Sequence, residues 1–333
     1  MRIAVKLGVA ASLAMFLAMF AGLPAAAVQN PGGSVTATCA ALTPNPVASG
    51  QTATATLNAT ATPPTPNPYS SLSDPTWSWA LNSTVSGVSI SQLNTSSPVA
   101  TLIAAITSPG VYMLSATATA TWTDSNGGIY VASGTTAPIT ITVVGVQKLQ
   151  YAQGGGYVDV SGTLYVLVGQ PVTFKAVSMP TGSTYPAGQP VWSGSSGASG
   201  SGVTFSVAFN QLSASSTDYK SVTATCGNTS ATANVIVFDL LPILTPQDNF
   251  AGRDLTAYGP FEYLNLSYQT TPPGIYEGDI GGLQWRITSG GGTLPGGAGG
   301  VATYQCPGAG AMAVLNLAVT GGLMLGLMRT ANP

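Results

Sequence analysis

Glu277 and Asp279 stand two residues apart, with Glu262 a little upstream. Paired carboxylates are what glycoside hydrolysis requires, one to protonate the leaving group and one to attack or to activate water. Here they lie in a stretch rich in Pro and Gly, where solvated surface charge is the expected role. Histidine is absent from all 333 residues. That removes Ser-His-Asp and Cys-His arrangements and every imidazole metal ligand. Cys39, Cys226 and Cys306 fall short of a closed zinc site, which takes four ligands. Asp124-Ser125-Asn126-Gly127-Gly128 has the look of a calcium loop, but an EF-hand needs more oxygen ligands and a closing Glu. Asn-Gly between alternating runs signals a tight hairpin instead. The glycine runs at 154–156, 290–292 and 296–300 lack the Gly-Lys-Ser/Thr ending of a phosphate loop. No cofactor is implied, and the chain reads as non-enzymatic.

Aromatic side chains are the other candidates. Trp122 and Tyr130 flank the Asn-Gly turn, and with Tyr157 and Tyr258 they would form a platform for sugar rings. The competing reading is core and edge packing, the role of most aromatics in a sandwich. Exposure of Trp122 separates the two, because a buried ring cannot stack on a sugar.

The elements that must carry these residues are strands. Ala53-Thr54-Ala55-Thr56-Leu57 and Ala116-Thr117-Ala118-Thr119-Ala120-Thr121-Trp122 switch character at every residue, the period that puts one set of side chains on each face. Similar alternation marks Val172 to Val177, Val203 to Phe209 and Ile139 to Val144, with Gly, Pro, Asn and Ser clusters between. No stretch beyond residue 27 shows helical spacing with caps, so the fold class is all-β. The hexapeptide Ser-Val-Thr-Ala-Thr-Cys occurs at 34–39 and again at 221–226. Its two copies fall at different places in the repeat described below, so it reads as strand material rather than a paired site. The three cysteines are expected as free buried thiols acting as small apolar side chains; a bridge would have to link domains or chains.

Charged residues make up 5% of the chain, against about 25% in a typical soluble protein. Arg2 and Lys6 precede an apolar run and the small residues Ala25-Ala26-Ala27, the pattern of a secretory signal peptide over 1–27. Without Arg2 and Lys6, six basic residues face ten acidic ones, a net charge of −4. That excludes a nucleic-acid groove, which needs a basic patch. Secretion or display at the cell surface is the expected location.

A longer repeat organises the strands. Gly50-Gln51 and Gly169-Gln170 each open a strand, with a weaker echo at Gly259-Pro260. Trp79, Trp192 and Trp285 follow at 29, 23 and 26 residues, and each is a core candidate. Trp77 shares Trp79's strand face. Alternating strands then begin at Tyr112 and Tyr219, with about Ala311 to Val319 as the third counterpart. The expected units are 28–146, 147–241 and 242–333, each the size of a two-sheet sandwich. The last ends barely past its final strand, which leaves open whether the chain is a fragment.

With Pro75-Thr76-Trp77-Ser78-Trp79 as central strand, Gly110-Val111-Tyr112 leading to Trp122 and Ile139 to Val143 closing, the first unit resembles bacterial immunoglobulin-like and PKD-like repeats of exported proteins. No acidic-glycine turn follows Trp79, which favours the general Ig-like label. Gly281-Gly282-Leu283-Gln284-Trp285 is similar to Ig-like modules of large bacterial surface proteins. The resemblance implies tandem Ig-like β-sandwiches that act as adhesion or spacer modules. A carbohydrate-binding protein, or a non-catalytic arm of a larger exported enzyme or toxin, stands as the alternative. The expected partner is a cell-surface polysaccharide or another surface protein. Residues 310–328 are nearly all apolar, a length bordering on a membrane span; Gly321-Gly322 at the centre favours a hairpin over an anchor.

Overall fold

Thr/Ala alternation becomes strand geometry almost wherever it occurs. In the computed structural model, which describes residues 33–65, 70–247, 261–308, 313–319 and 329–331, Ala53–Thr62 alternates buried and exposed side chains nearly throughout. The expected signal peptide, Tyr258, Gly259 and Gly321-Gly322 lie outside the described residues. The chain forms two compact units, the described parts of Met1–Pro44, Thr52–Ile106 and Tyr112–Ile141, and those of Asn45–Gln51, Thr107–Val111 and Thr142–Pro333.

In chain order the first ten strands are β1 (Ser34–Cys39), β2 (Val47–Ala48), β3 (Ala53–Thr62), β4 (Thr76–Leu81), β5 (Val88–Gln92), β6 (Val99–Ala104), β7 (Gly110–Leu114), β8 (Ala116–Thr123), β9 (Ile129–Thr135) and β10 (Ile139–Gln153). In the first unit one sheet has the order β1-β3-β6-β5 and the other β4-β8-β9. Lettered A to G along the chain, these seven strands give A-B-E-D and C-F-G, the constant-type immunoglobulin arrangement. The core between the sheets sets large rings against small side chains. Trp77 lies opposite Ala120 and Trp79 opposite Ala118, and Ala37 and Ala59 of the A-B-E-D sheet are buried in the same cluster. Interdigitated large and small residues fill a core without voids.

The second unit continues with β11 (Gly156–Asp159), β12 (Thr163–Leu167), β13 (Pro171–Met179), β14 (Val191–Gly194), β15 (Ser199–Ser201), β16 (Thr204–Ala208), β17 (Lys220–Cys226) and β18 (Thr229–Pro246). A sheet in the order β11-β10-β13-β16 faces β15-β14-β17-β18, with β12 beside β18. The same letters apply, with A-B-E on one side and C′-C-F-G on the other. Here β12 is a short A′ strand parallel to G. The turns before β3 and β13 are built alike. Gln51 and Gln170 N–H donate to the carbonyls of Ala48 and Leu167, around Gly50 and Gly169 at φ 75° and 80°. Positive φ at the third residue of such a turn suits glycine, which is why the Gly-Gln pair recurs.

The remaining elements are β19 (Tyr263–Thr271), a one-turn helix α1 (Glu277–Ile280), β20 (Leu283–Ser289), β21 (Ala302–Gln305), β22 (Val314–Val319) and β23 (Arg329–Ala331). They form A-B-E from the far half of β18, β19 and β21, and C-F-G from β20, β22 and β23. The helix departs from the sequence reading of 277–280 as loop; one turn is too short to show a period. β22 pairs with the Trp285 strand, Trp285 facing Leu317, as the repeat predicts. β23 runs antiparallel to it. No described helix is long and apolar enough to cross a membrane.

The boundaries expected at 146/147 and 241/242 fall inside β10 and β18. Along β18, Ala233, Val235 and Val237 enter the second core, while Ile236, Phe238 and Leu240 enter the third. From β12, Leu164 and Val166 join the former and Leu167 the latter. A strand pair buried on both faces reads as a continuous apolar run rather than an alternation, and Val235-Ile236-Val237-Phe238 is such a run. Full burial of each of the Val, Leu, Ile and Phe side chains among them contributes about 1.5–3 kcal/mol.

Candidate functional site

The two central rings of the expected sugar platform, Trp122 and Tyr130, are buried. Trp122 is 2% exposed and Tyr130 8%, and the two lie directly opposite each other on β8 and β9. Ala116, Ala118, Ala120 and Trp122 form one buried face of β8, so the alternation that makes the strand also turns Trp122 inward. The Tyr130 hydroxyl donates to Asp124 at 3.2 Å. Burial and that carboxylate raise its pKa. Tyr157 is exposed but covered by Lys175, whose Nζ lies 5.1 Å above its ring.

Asp124 closes the β8–β9 hairpin. Its Oδ1 accepts the N–H groups of Asn126 at 2.9 Å and Gly128 at 2.7 Å, and Gly127 adopts φ 84°. Those bonds make Asp124 the residue that closes the turn. The carboxylate pair is also engaged by backbone. Asp279 accepts from Tyr276 N–H at 2.8 Å and caps α1. Glu277 is partly buried rather than fully solvated, and accepts from Leu283 N–H at 3.2 Å and Gly300 N–H at 2.9 Å. Two anions spent on orphan N–H groups fix the loop between B and C. No group of three or more metal-ligating side chains occurs among the described residues.

All three cysteines are free, Cys226 and Cys306 buried and Cys39 partly so. Burial raises each thiol pKa, that of Cys226 to about 11, which keeps them neutral and poorly nucleophilic. The two hexapeptide copies are an A strand, β1, and an F strand, part of β17. In the second, Val222, Ala224 and Cys226 are fully buried.

An open cleft of about 780 Å³ lies at one end of the second sandwich. Three segments within residues 195–220 line it: the turn after β14, the end of β16, and the loop into β17. Phe209, 2% exposed, anchors the floor. Ser213, buried, holds the loop to β18 by donating its N–H to the Val237 carbonyl at 2.9 Å and accepting Val237 N–H at 3.1 Å. Asp218 accepts from Ala214 N–H at 2.7 Å and pairs with Lys220 at 2.9 Å. These bonds hold its carboxyl below the usual range. The Ser196, Asn210, Gln211 and Tyr219 side chains at the cleft make no hydrogen bond within the described protein, and Tyr219 is 51% exposed. No residue spacing in the sequence points to this cleft, since its lining is ordinary turn and loop residues within 195–220.

No protein-family model and no curated protein matches this chain. Among solved structures, a three-domain tandem from titin aligns over 88% of this chain and 97% of its own, at 11% identity and TM-score 0.32. A titin I-band fragment aligns over 92% and 98%, at 11% identity and TM-score 0.30. Extracellular cadherin domains of protocadherin gamma B2 align over 92% and 76%, at 12% identity and TM-score 0.26. The Ig-like assignment rests on the strand order and register rather than on these loose likenesses.

Proposed function

We propose that the chain is an exported, non-catalytic module of tandem Ig-like sandwiches that serves as a spacer or adhesion element at the cell surface. The observation that carries this reading is the sharing of β18: one strand closes the second sandwich, opens the third and buries side chains in both cores. Such a junction holds consecutive modules in register, which suits a protein whose task is to span and present. The carboxylates that sequence offers for catalysis hold backbone instead. A surface of Ser, Thr, Asn and Gly with 5% charge suits a hydrated exterior. The leading basic-apolar-small segment, residues 1–27, supports export.

The test is surface labelling of intact cells of the source organism with an antibody to residues 28–333, alongside fractionation. Labelling with recovery in the surface or secreted fraction is expected. Recovery only in the cytosol, with residues 1–27 retained, overturns the reading.

A further inference from the structure

We propose that the cleft of the second sandwich binds an uncharged saccharide. The proposal rests on the reading above in one respect: surface and matrix polysaccharides are the partners such a module meets.

The volume, about 780 Å³, lies within the range of small-ligand sites. Its chemistry sets the ligand class. The Asn210 and Gln211 amides each offer donors and an acceptor, and the Ser196 and Tyr219 hydroxyls offer both. The Ser196, Asn210 and Gln211 side chains bond to no described residue, and the Tyr219 hydroxyl lies near that of Tyr165 without a hydrogen bond, so each can meet a sugar hydroxyl, which also donates and accepts. Asp218 and Lys220 satisfy each other at 2.9 Å, so the cleft presents no unpaired charge to select a phosphate, an acidic sugar or a cation. Tyr219, 51% exposed, supplies an amphipathic ring whose face can cover the C–H face of a pyranose. A hydrophobic peptide anchor finds no matching apolar pocket, because the accessible lining is more polar than apolar.

The loop is also fixed before a ligand arrives. The Ser213 bonds to Val237, the Asp218 carboxylate on Ala214 N–H and the Asp218 N–H to Ser215 carbonyl bond at 3.1 Å hold residues 213–218 of the loop. Preorganisation of this kind lowers the ordering cost of binding.

Isothermal titration of the mature chain with neutral oligosaccharides (cellotetraose, maltotetraose, mannotetraose and chitotetraose) tests the proposal, with a polyuronate as the charged control. Binding of at least one neutral oligosaccharide is expected. Tyr219→Ala and Asn210→Ala should each weaken it by about tenfold or more, with melting temperature unchanged because both side chains are exposed. Tyr219→Phe should keep most of the affinity, since the ring face remains. Binding to none of the four, binding that both alanine variants leave intact, or binding to the polyuronate alone overturns the proposal. A saccharide-binding protein found only in the cytosol would overturn the surface reading and keep the cleft; a surface protein that ignores all four would do the reverse.

Discussion

The first and second sandwiches treat corresponding tryptophans differently. Trp192 on β14 faces Ala224 of the F strand, as Trp79 on β4 faces Ala118. Trp192 is fully buried, stacks on Phe205 at 5.4 Å and donates its indole N–H to the Gly202 carbonyl at 2.6 Å. The Trp79 indole nitrogen is buried with no partner. The third sandwich sides with the second, Trp285 donating to the Gly300 carbonyl at 3.1 Å. Gly202 and Gly300 both stand two residues before an E strand, where the chain returns across the ring. The corresponding residue in the first sandwich is Ser97, two before β6. Its carbonyl accepts the Gln92 amide at 3.1 Å instead. Gln92 belongs to β5, the D strand of the first sandwich. In the first sandwich the corresponding carbonyl is thus bonded by an edge-strand amide and not by the indole.

The comparison is sharpened first by truncation. Trp192→Ala should destabilise the second sandwich by about 3–5 kcal/mol in urea unfolding. Trp79→Ala should cost less, since the ring is only partly buried and forfeits no hydrogen bond. Next come ring exchanges that isolate the indole N–H. Trp192→Phe should lose about 1–3 kcal/mol because the Gly202 carbonyl is left unpaired, whereas Trp79→Phe removes an orphan donor and should lie within about 1 kcal/mol of neutral. Equal losses for the two would break the comparison. Tyr185 gives an internal control within the second sandwich. Its hydroxyl is also buried without a partner, so Tyr185→Phe should behave like Trp79→Phe and not like Trp192→Phe.

The smallest expected effect is a pH response. Asp218, held by Ala214 N–H and Lys220, and Asp159, held by Lys148 and Gln150, both have lowered pKa values. Their stabilisation is complete above the unfolded carboxylate value, about 3.9, and is lost as pH falls through the lower folded value. The melting temperature of the second unit should therefore drop on acidification below about pH 4, and Asp218→Asn should reduce that drop. The first sandwich contains no salt bridge among its described residues, so its melting should respond less. An equal response in both would remove the ion pairs as the cause.

Much of the fold is legible in period two. β3, β8, β13 and β17 follow their alternation, the Asn-Gly hairpin stands where expected, and each Gly-Gln turn precedes a B strand. Trp122 shows parity outweighing position. Parity with Ala116, Ala118 and Ala120 marks it as inward, while nearness to a turn suggested exposure. Other features leave no local trace. β2 spans two residues, too short for any period, and β18 passes through the expected boundary because a strand buried on both faces carries no alternation. The cleft is invisible for a third reason. Ser196, Asn210 and Tyr219 are ordinary loop residues until the strands between them fold their turns to one end of a sandwich.

The parallel pairing of β12 with β18 bears on how the molecule meets mechanical tension. Stretching drags the leading end of β12 and the trailing end of β18 in opposite directions along the strands. Five residue pairs, Thr163 with Asn234 to Leu167 with Phe238, are then loaded together in shear rather than peeled one by one. The β2–β10 ladder offers only two such pairs. Beyond its parallel stretch, β18 passes into an eight-pair antiparallel ladder with β19, so load leaving the second sandwich is taken up by the third without crossing a slack linker.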